Sequence, residues 1–388
     1  MSRLGWCFAV IGACSQAPAA PLPPVVVPVE PAAIAAPGPW KLVGDGKAPV
    51  QPVFEPGAAP TAVRIVADPV ALAKVARRVL AWFDADADPV GLVAGLPGDA
   101  GVTVADVRRT LGLLADLAEA DAASGEARLA DPAFVASKFR YVTWRSDTAA
   151  AAARGIRLEP DEVRLTSYAA FRFSGRPSKE AGFDAALYAV PDDEAGLDAA
   201  AADARSDLLR DRYSRKEVLD GVYEPGGAAA GRARALVWLP RAAVHEALMQ
   251  GTVVVSEPGR PDRTFNVHRH NHRAWRPELR ATPEAQERLW YFREVGGLLG
   301  WGTDDKIQIE PGVTVAGDVA NLGLGKLLLL TGPDSVARLV VLADSGGAFA
   351  PNLFQLDLLA GVYDDRAAWR RGTTDLPERV RAGILVAR

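Results

Sequence analysis

Two aspartates near the C-terminus have the surroundings that acid–base chemistry on a sugar bond requires. An apolar, β-branched run leads into Asp344, and a Gly346-Gly347 turn follows, at which the backbone can take a positive φ and approach a ligand closely. A second short apolar run carries Asp357 between two leucines. Burial among apolar residues raises the pKa of a carboxyl group, and cleavage of a glycosidic bond needs a carboxylic acid that is still protonated near neutral pH.

From the local sequence alone, each aspartate has a structural alternative. Asp357 also fits a partly exposed residue at the end of a strand, and Asp344 fits an Asx turn into Gly346. If the two carboxyl groups are neighbours, we expect Asp344 to raise the pKa of Asp357 by charge repulsion.

The composition is that of an ordinary globular protein and excludes several functional classes. A chain of 388 residues has room for one large domain or two medium ones. The net charge of −4 provides no basic surface for nucleic acid, so no nucleic-acid partner is expected. The only cysteines are Cys7 and Cys14, which leaves the folded part without a disulfide, a thiol nucleophile or a thiolate metal ligand.

The N-terminus is typical of a bacterial lipoprotein. Arg3 precedes a short apolar core that is too short to span a membrane, and Ile11-Gly12-Ala13-Cys14 resembles a lipobox. The Ala/Pro-rich tract that follows is typical of a semi-rigid spacer. We therefore predict a signal and anchor segment over 1–16, with an acylated Cys14, and a linker over 17–53. The alternative is a chance apolar start on a cytosolic protein.

Apolar residues at helical spacing predict three helices in the first part of the chain, each with a capping residue. They are a helix from Pro69 to Phe83 capped by Asp68, one from Val104 to about Ala123 capped by Thr103, and one that starts at Asp131-Pro132 and includes Phe139.

From residue 163 onward, short β-like runs are separated by Gly, Pro and Asp, which predicts a mainly β fold with some α. No phosphate-binding loop and no nucleophilic serine elbow is present in the sequence. The predicted strands are Val163–Phe173, Ala186–Val190, Ala235–Leu239, Gly251–Val255, Phe265–His270, Ile307–Glu310, Val313–Ala316, Lys326–Leu330 and Ala337–Ala343.

The aspartate motifs resemble the C-terminal three-Asp segment of the membrane-bound lytic transglycosylase A family. Asp344-Ser-Gly-Gly-Ala-Phe349 is similar to the family's Asp-Thr-Gly-Gly-Ala-Ile, and Asp357-Leu-Leu-Ala-Gly361 is similar to its Asp-Leu/Ile-Phe/Tyr-x-Gly. Weaker similarities follow in the family's order from about residue 70 to the end. They are Leu165–Tyr168, Ala186–Pro191, Tyr213–Gly221, Met249–Thr252, Val315–Asp318 and Leu322–Gly325.

The resemblance implies a fold and an activity. The expected fold is a double-psi β-barrel domain, formed by 54–168 and 276–388, into which a second β domain of residues 169–275 is inserted. The expected substrate is the glycan strand of peptidoglycan, bound in the groove between the domains, with no cofactor and with membrane attachment through the lipid anchor. The expected reaction cleaves the bond between N-acetylmuramic acid and N-acetylglucosamine and forms a 1,6-anhydro ring.

The resemblance also assigns site residues. Asp357 is the single catalytic acid/base and Asp344 supports it. The expected substrate-binding residues are Tyr168, Gln250, Gly251, Asn271, Asp318, Gly346 and Gly347. For four of them a structural role fits equally well: a core tyrosine for Tyr168, a turn amide for Gln250 and turn caps for Asn271 and Asp318.

Two other functions remain open. The family's Tyr-Tyr-Glu-Pro has become Tyr168-Ala169-Ala170-Phe171 here, which favours a protein that binds peptidoglycan without cutting it. The three histidines at 268, 270 and 272 alternate as on one face of a strand, which is the pattern of a metallohydrolase. Arg269 and Arg273 oppose a cation there and no acidic ligand lies in the run, so no metal site is expected.

Overall fold

The strands and helices are described from a computed structural model, over residues 53–85, 91–279, 282–346, 349 and 351–388. The strands in this part of the chain are β1 Phe54–Gly57, β2 Arg64–Val66, β3 Phe139–Trp144, β4 Val163–Ser174, β5 Ala185–Tyr188, β6 Ala235–Leu239, β7 Thr252–Ser256, β8 Arg263–His270, β9 Trp290–Val295, β10 Thr314–Ala316, β11 Leu327–Thr331, β12 Val336–Asp344, β13 Gln355–Tyr363 and β14 Arg379–Ala387.

The helices begin at residues that cap them locally. The side chain of Asp68 accepts a hydrogen bond from Ala71 N, and Thr103 forms a reciprocal capping box with Asp106. The α-helices are α1 Pro69–Asp84, α2 Val104–Ser124, α3 Pro132–Lys138, α4 Thr148–Ala153, α5 Ala199–Asp203, α6 Leu209–Arg212, α7 Arg215–Leu219, α8 Arg241–Ala247, α9 Val319–Leu322 and α10 Arg366–Gly372.

Six strands close into a ring, in the order β14, β11, β12, β10, β13 and β4, because β4 also pairs with β14. The architecture is therefore mixed α and β, as the sequence predicts. Helix α1 packs against β12, and α2 packs against β11 and β14. Strand β11 is buried along its whole length because its neighbours and these helices cover it, which explains its uninterrupted leucines.

The ring and its helices enclose the first hydrophobic core, and a second core lies elsewhere in the chain. The second core takes its residues from Ala185 to Phe292, and it is built from the β5–β6 pair and the antiparallel strands β7, β8 and β9. Strand β4 joins the two regions. It runs parallel to β13 within the ring and then, from Phe171 to Ser174, parallel to β7. The domain boundaries at 169 and 275 stay predictions.

The starts of the three predicted helices are confirmed, while two other expectations are wrong. Phe139 does not belong to the third helix but begins β3, where it is buried. Ile307–Glu310 forms no strand; it holds a single isolated bridge, between Leu299 and Gln308. Strands β3, β9 and β14, which the sequence does not single out, supply a large part of the sheet.

The described part of the chain contains no helix that is both long enough and apolar enough to cross a membrane. The predicted signal segment, Cys14 and the linker to residue 52 lie outside the described residues.

Candidate functional site

Strand pairing places the two motif aspartates in one row of the ring. Ala316 of β10 lies opposite Asp344 of β12 on one side and opposite Asp357 of β13 on the other. The register shifts at this point, so that Asp344 rather than Ala343 faces Ala316. Directly paired residues project from the same face of a sheet, and irregularities of this kind re-aim side chains at functional sites. With two strand spacings between them, the two aspartate backbones lie about 10 Å apart.

Both oxygens of the Asp344 carboxyl accept hydrogen bonds. The Tyr168 hydroxyl donates to Oδ2 at 2.6 Å, and the Ser345 backbone N–H donates to Oδ1 at 2.8 Å. Burial raises the pKa of Asp344 to about 6, against the lowering effect of these two bonds and of Lys306. Both carboxyl oxygens of Asp344 are therefore bound to groups of the protein. This arrangement is the one expected of a residue that supports the site.

Only one oxygen of the Asp357 carboxyl group accepts a hydrogen bond from a described residue. The Gln355 side-chain amide donates to its Oδ1 at 3.0 Å and to the Thr166 hydroxyl at 3.1 Å. No described residue donates to Oδ2. Burial raises the pKa of Asp357, and Gln355 and Arg164 oppose that shift. The carboxyl group thus keeps one oxygen for a ligand and holds a proton to higher pH than an exposed aspartate does.

Repulsion between the two carboxylates raises the pKa of Asp344, whereas burial is the largest cause of the raised pKa of Asp357. Ala316 lies between the two residues, so the pKa of each carboxyl group is dominated by its own surroundings. That Asp344 raises the pKa of Asp357 stays a prediction.

Lys306 belongs to the site, although nothing in its local sequence singles it out. Its ammonium group donates to Asn266 Oδ1 at 2.7 Å and to the Val267 carbonyl at 2.9 Å. Burial lowers the pKa of Lys306 to about 8, and its positive charge favours the ionised form of Asp344. The Asn266 amide in turn donates to the Gly251 carbonyl at 2.9 Å. Through these hydrogen bonds and the charge of Lys306, strands β7 and β8 are linked to Asp344.

The segment before Lys306 approaches the end of β12 closely. The Trp301 backbone N–H donates to the Ala343 carbonyl at 3.0 Å. A Cβ atom on Gly300 would lie 2.5 Å from the same carbonyl oxygen and 3.2 Å from Asp344 Cβ. Only glycine permits this approach, so Gly300 fixes the segment beside Asp344.

Of the other predicted binding residues, Tyr168 lies in the aspartate site through its bond to Asp344. Gln250 is half-buried, and its amide donates to Glu246 Oε1 at 3.3 Å. Gly251 is linked to the site through Asn266, and its carbonyl also accepts from Val267 N. The binding roles of these residues stay predictions.

Asn271 and Asp318 are buried and make internal bonds. The Asn271 amide donates to the carbonyls of Tyr213 and Glu287, and its oxygen accepts from Leu289 N. Asp318 caps α9 and accepts from Asn352 N at 2.8 Å. These contacts hold loops together, and the substrate-binding role of both residues stays a prediction.

The glycine turn differs in part from expectation. Gly346 accepts from Phe349 N at 3.0 Å, which closes a turn, but it does not take a positive φ. The positive φ that the glycine turn allows is therefore not used at Gly346, and a Cβ atom at this position would have its nearest described neighbour 4.0 Å away. Gly347 lies outside the described residues.

The three histidines do not share one strand face. His268 Nε2 lies 3.3 Å from Asp304 Oδ1, and His268 is the unpaired residue of the register irregularity between Val267 and Arg269. His272 lies beyond the end of β8 with a φ of 51°. The rings of His270 and His272 contact each other edge to face. Within the residues that the structure describes, no group of three histidine, cysteine, aspartate or glutamate residues is arranged to hold a metal ion.

Solved structures decide the fold. The membrane-bound lytic murein transglycosylase of Agrobacterium tumefaciens matches over 86% of this chain and 98% of its own, with a TM-score of 0.57 and 16% identity. The structure of MltA from E. coli with bound chitohexaose matches over 87% of this chain and 96% of its own, with a TM-score of 0.55 and 16% identity.

MltA from Neisseria gonorrhoeae matches over 87% of this chain and 97% of its own, with a TM-score of 0.50 and 15% identity. This protein has the fold of the membrane-bound lytic murein transglycosylases. The resemblance seen in the sequence is confirmed for the fold. No protein-family model and no curated protein matches the chain in sequence.

Proposed function

We propose that this protein is a peptidoglycan lytic transglycosylase with Asp357 as its only acid/base. The observation that carries the proposal is the state of the Asp357 carboxyl group. Its pKa is raised by burial, and no described residue donates to its Oδ2. The fold shared with lytic transglycosylases, one of them solved with a bound chitohexaose, supports the choice of glycan as substrate.

In the proposed reaction, Asp357 first donates its proton to the glycosidic oxygen as the bond to C1 of the muramic acid breaks. The resulting carboxylate then removes the proton of the C6 hydroxyl of the same sugar while that oxygen bonds to C1. The proton taken in the second step restores the acid, and no water is consumed. Asp344 positions the site by holding Tyr168 and the turn at Ser345.

The proposal has a direct test. Purified protein is incubated with isolated sacculi, and the soluble products are analysed by mass spectrometry. We expect muropeptides that end in 1,6-anhydromuramic acid. Products with ordinary reducing ends would indicate hydrolysis and would contradict the proposed chemistry.

A second function, peptidoglycan binding without cleavage, is favoured by one observation. Ala169 and Ala170 replace an aromatic and an acidic residue of the family motif, and both alanines are buried and give a ligand no polar contact. The same incubation distinguishes the two functions, because a binding protein sediments with sacculi and releases no product. The histidine arrangement supports no proposal of metal-dependent hydrolysis.

We also propose the finer architecture and location that the sequence implies. Two parallel pairings within the ring, β10–β12 and β13–β4, support a double-psi topology, and the passage of β4 into the second core supports an insertion at 169–275. An acylated Cys14 would hold the protein at the periplasmic face of the outer membrane. If Cys14→Ser leaves the protein in the membrane fraction, the anchor is excluded.

A further inference from the structure

A cavity of about 360 Å³ opens in the second core. Its volume lies within the usual range of small-ligand pockets. Across the described chain, none of its lining residues hydrogen bonds to Asp344 or Asp357. Its lining residues include Lys179, Tyr188, Tyr223, Glu224, Ala235 and Trp238.

The walls of this cavity are aromatic and fixed in place. The rings of Tyr188 and Tyr223 lie 5.3 Å apart, and both residues are buried. The Tyr223 hydroxyl is bound to the Tyr291 hydroxyl at 2.8 Å, and Trp238 exchanges two backbone hydrogen bonds of 2.9 Å with Arg176. A ligand would therefore meet a surface that is already formed, which lowers the entropic cost of binding.

Two opposite charges stand at the cavity. Lys179 Nζ lies 2.5 Å from Glu224 Oε2 and 5.5 Å from the centre of the Trp238 ring. The lysine side chain is 48% exposed, and an ion pair of such exposure contributes about 0–1 kcal/mol. Lys179 and Glu224 can therefore separate and each pair with an opposite charge of a ligand, at little cost in free energy. No described residue accepts a hydrogen bond from the Tyr188 hydroxyl, which leaves a third polar group for a ligand.

We propose that this cavity binds the zwitterionic end of a short peptide. Its ammonium group pairs with Glu224, its carboxylate pairs with Lys179, and its apolar part packs against Trp238. The assignment of that peptide to the stem peptides of peptidoglycan rests on the proposed function. Charge complementarity favours this ligand over a neutral sugar, because a sugar has no charged groups to replace the ion pair between Lys179 and Glu224.

The test is calorimetric titration of the full-length protein with the tripeptide N-acetyl-L-Ala-γ-D-Glu-meso-diaminopimelate, whose only free amine belongs to the zwitterionic end of the last residue. We expect measurable binding, weakened at least about tenfold when the free amine is acetylated. Glu224→Gln should weaken binding by a similar factor. Ala235→Leu should do so without changing any charge, because the larger side chain fills the cavity. The matched control is Glu180→Gln, which removes an exposed carboxylate paired with Arg176 outside the cavity.

Absence of tripeptide binding, or equal affinity in wild type, Glu224→Gln and Ala235→Leu, would overturn the proposal. Glycan strands freed of peptide provide the other arm. Suppose that the glycan strands bind and that Ala235→Leu weakens their binding, while it leaves the affinity for the tripeptide unchanged. The cavity is then a sugar site. Because free peptide is titrated and no bond is cleaved, the result is independent of whether the chain is a transglycosylase.

Discussion

Two regions of the molecule place ionisable groups in different surroundings. In the first core, half-buried Asp357 and buried Lys326 form no ion pair with a described residue, and the ammonium group of Lys326 reaches the Val93 carbonyl at 3.4 Å. The second core has a cluster of paired charges. Arg210, fully buried, lies 3.4 Å from Glu194 and 2.6 Å from Asp203.

The difference shows how surroundings change an ionisable group. A single ionisable group among apolar residues has a shifted pKa, as Asp357 and Lys326 do. The pKa of the paired Glu194 is also raised by burial, but the charge of Arg210 opposes that shift, and burying the pair costs free energy. We infer that the surroundings of Asp357 and Lys326 shift their pKa values, whereas the cluster around Arg210 fixes the geometry of the second core.

The largest expected effect concerns the single acid. Asp357→Asn keeps the size of the side chain and removes the transferable proton, so the rate of anhydro-product release should fall about 10²–10⁴-fold. The circular dichroism spectrum should remain that of the wild type. Release at an unchanged rate would show that another carboxyl group is the acid.

The next effect concerns the paired charges. Arg210→Met leaves the buried Glu194 carboxylate without its partner and should lower the free energy of unfolding by about 3–5 kcal/mol in a urea titration. The control is Arg232→Met, which breaks an exposed pair with Asp192 and should cost less than about 1 kcal/mol. Equal losses in the two variants would show that the buried pair contributes no more to stability than the exposed one.

A smaller effect concerns pH. The pKa of Asp344 is raised from 3.8 to about 6, so the folded state binds its proton more tightly and wild type loses stability as the pH rises through this range. Asp344→Asn does not titrate. Relative to wild type, it should gain about 1–3 kcal/mol of stability between pH 4 and pH 7, measured by urea unfolding at each pH. A difference that stays constant with pH would show that the Asp344 carboxyl is ordinary.

The smallest effect concerns the bond between Tyr168 and Asp344. Tyr168→Phe removes a donor that favours the ionised carboxylate, so the pKa of Asp344 should rise further above 6. The carboxyl carbon of Asp344, followed by NMR during a pH titration, reports this value. The loss of stability should be about 1 kcal/mol. A fall in the pKa would mean that the hydroxyl does not donate to Asp344.

The features that the sequence predicts correctly are those encoded by neighbouring residues. The caps Asp68 and Thr103 lie next to the helices they begin, and Asp344 ends an apolar run that forms β12. The row that joins Asp344 to Asp357 was not predictable, because it depends on pairing both with Ala316, which is distant along the chain. The sequence does not predict the place of Lys306 in the site either, because its partners Asn266 and Asp344 are also distant along the chain.

Family resemblance found residues without fixing their roles. It pointed to Asn271, whose side chain proves to be fully occupied by backbone groups of neighbouring loops. It also pointed to Tyr168, and here the structure adds a contact that the motif alone did not predict, the hydrogen bond to Asp344. Short motifs record a residue's position in the chain, while its partners depend on the fold.

The central claim is that the two aspartates have different tasks, and one measurement tests it most directly. Rates of 1,6-anhydromuramyl release are measured on the same sacculi for Asp357→Asn and Asp344→Asn. The account predicts that Asp344→Asn retains at least about tenfold more activity, because it disturbs the position of the site but leaves the proton donor in place. Equal rates for the two variants, or a lower rate for Asp344→Asn, would contradict it.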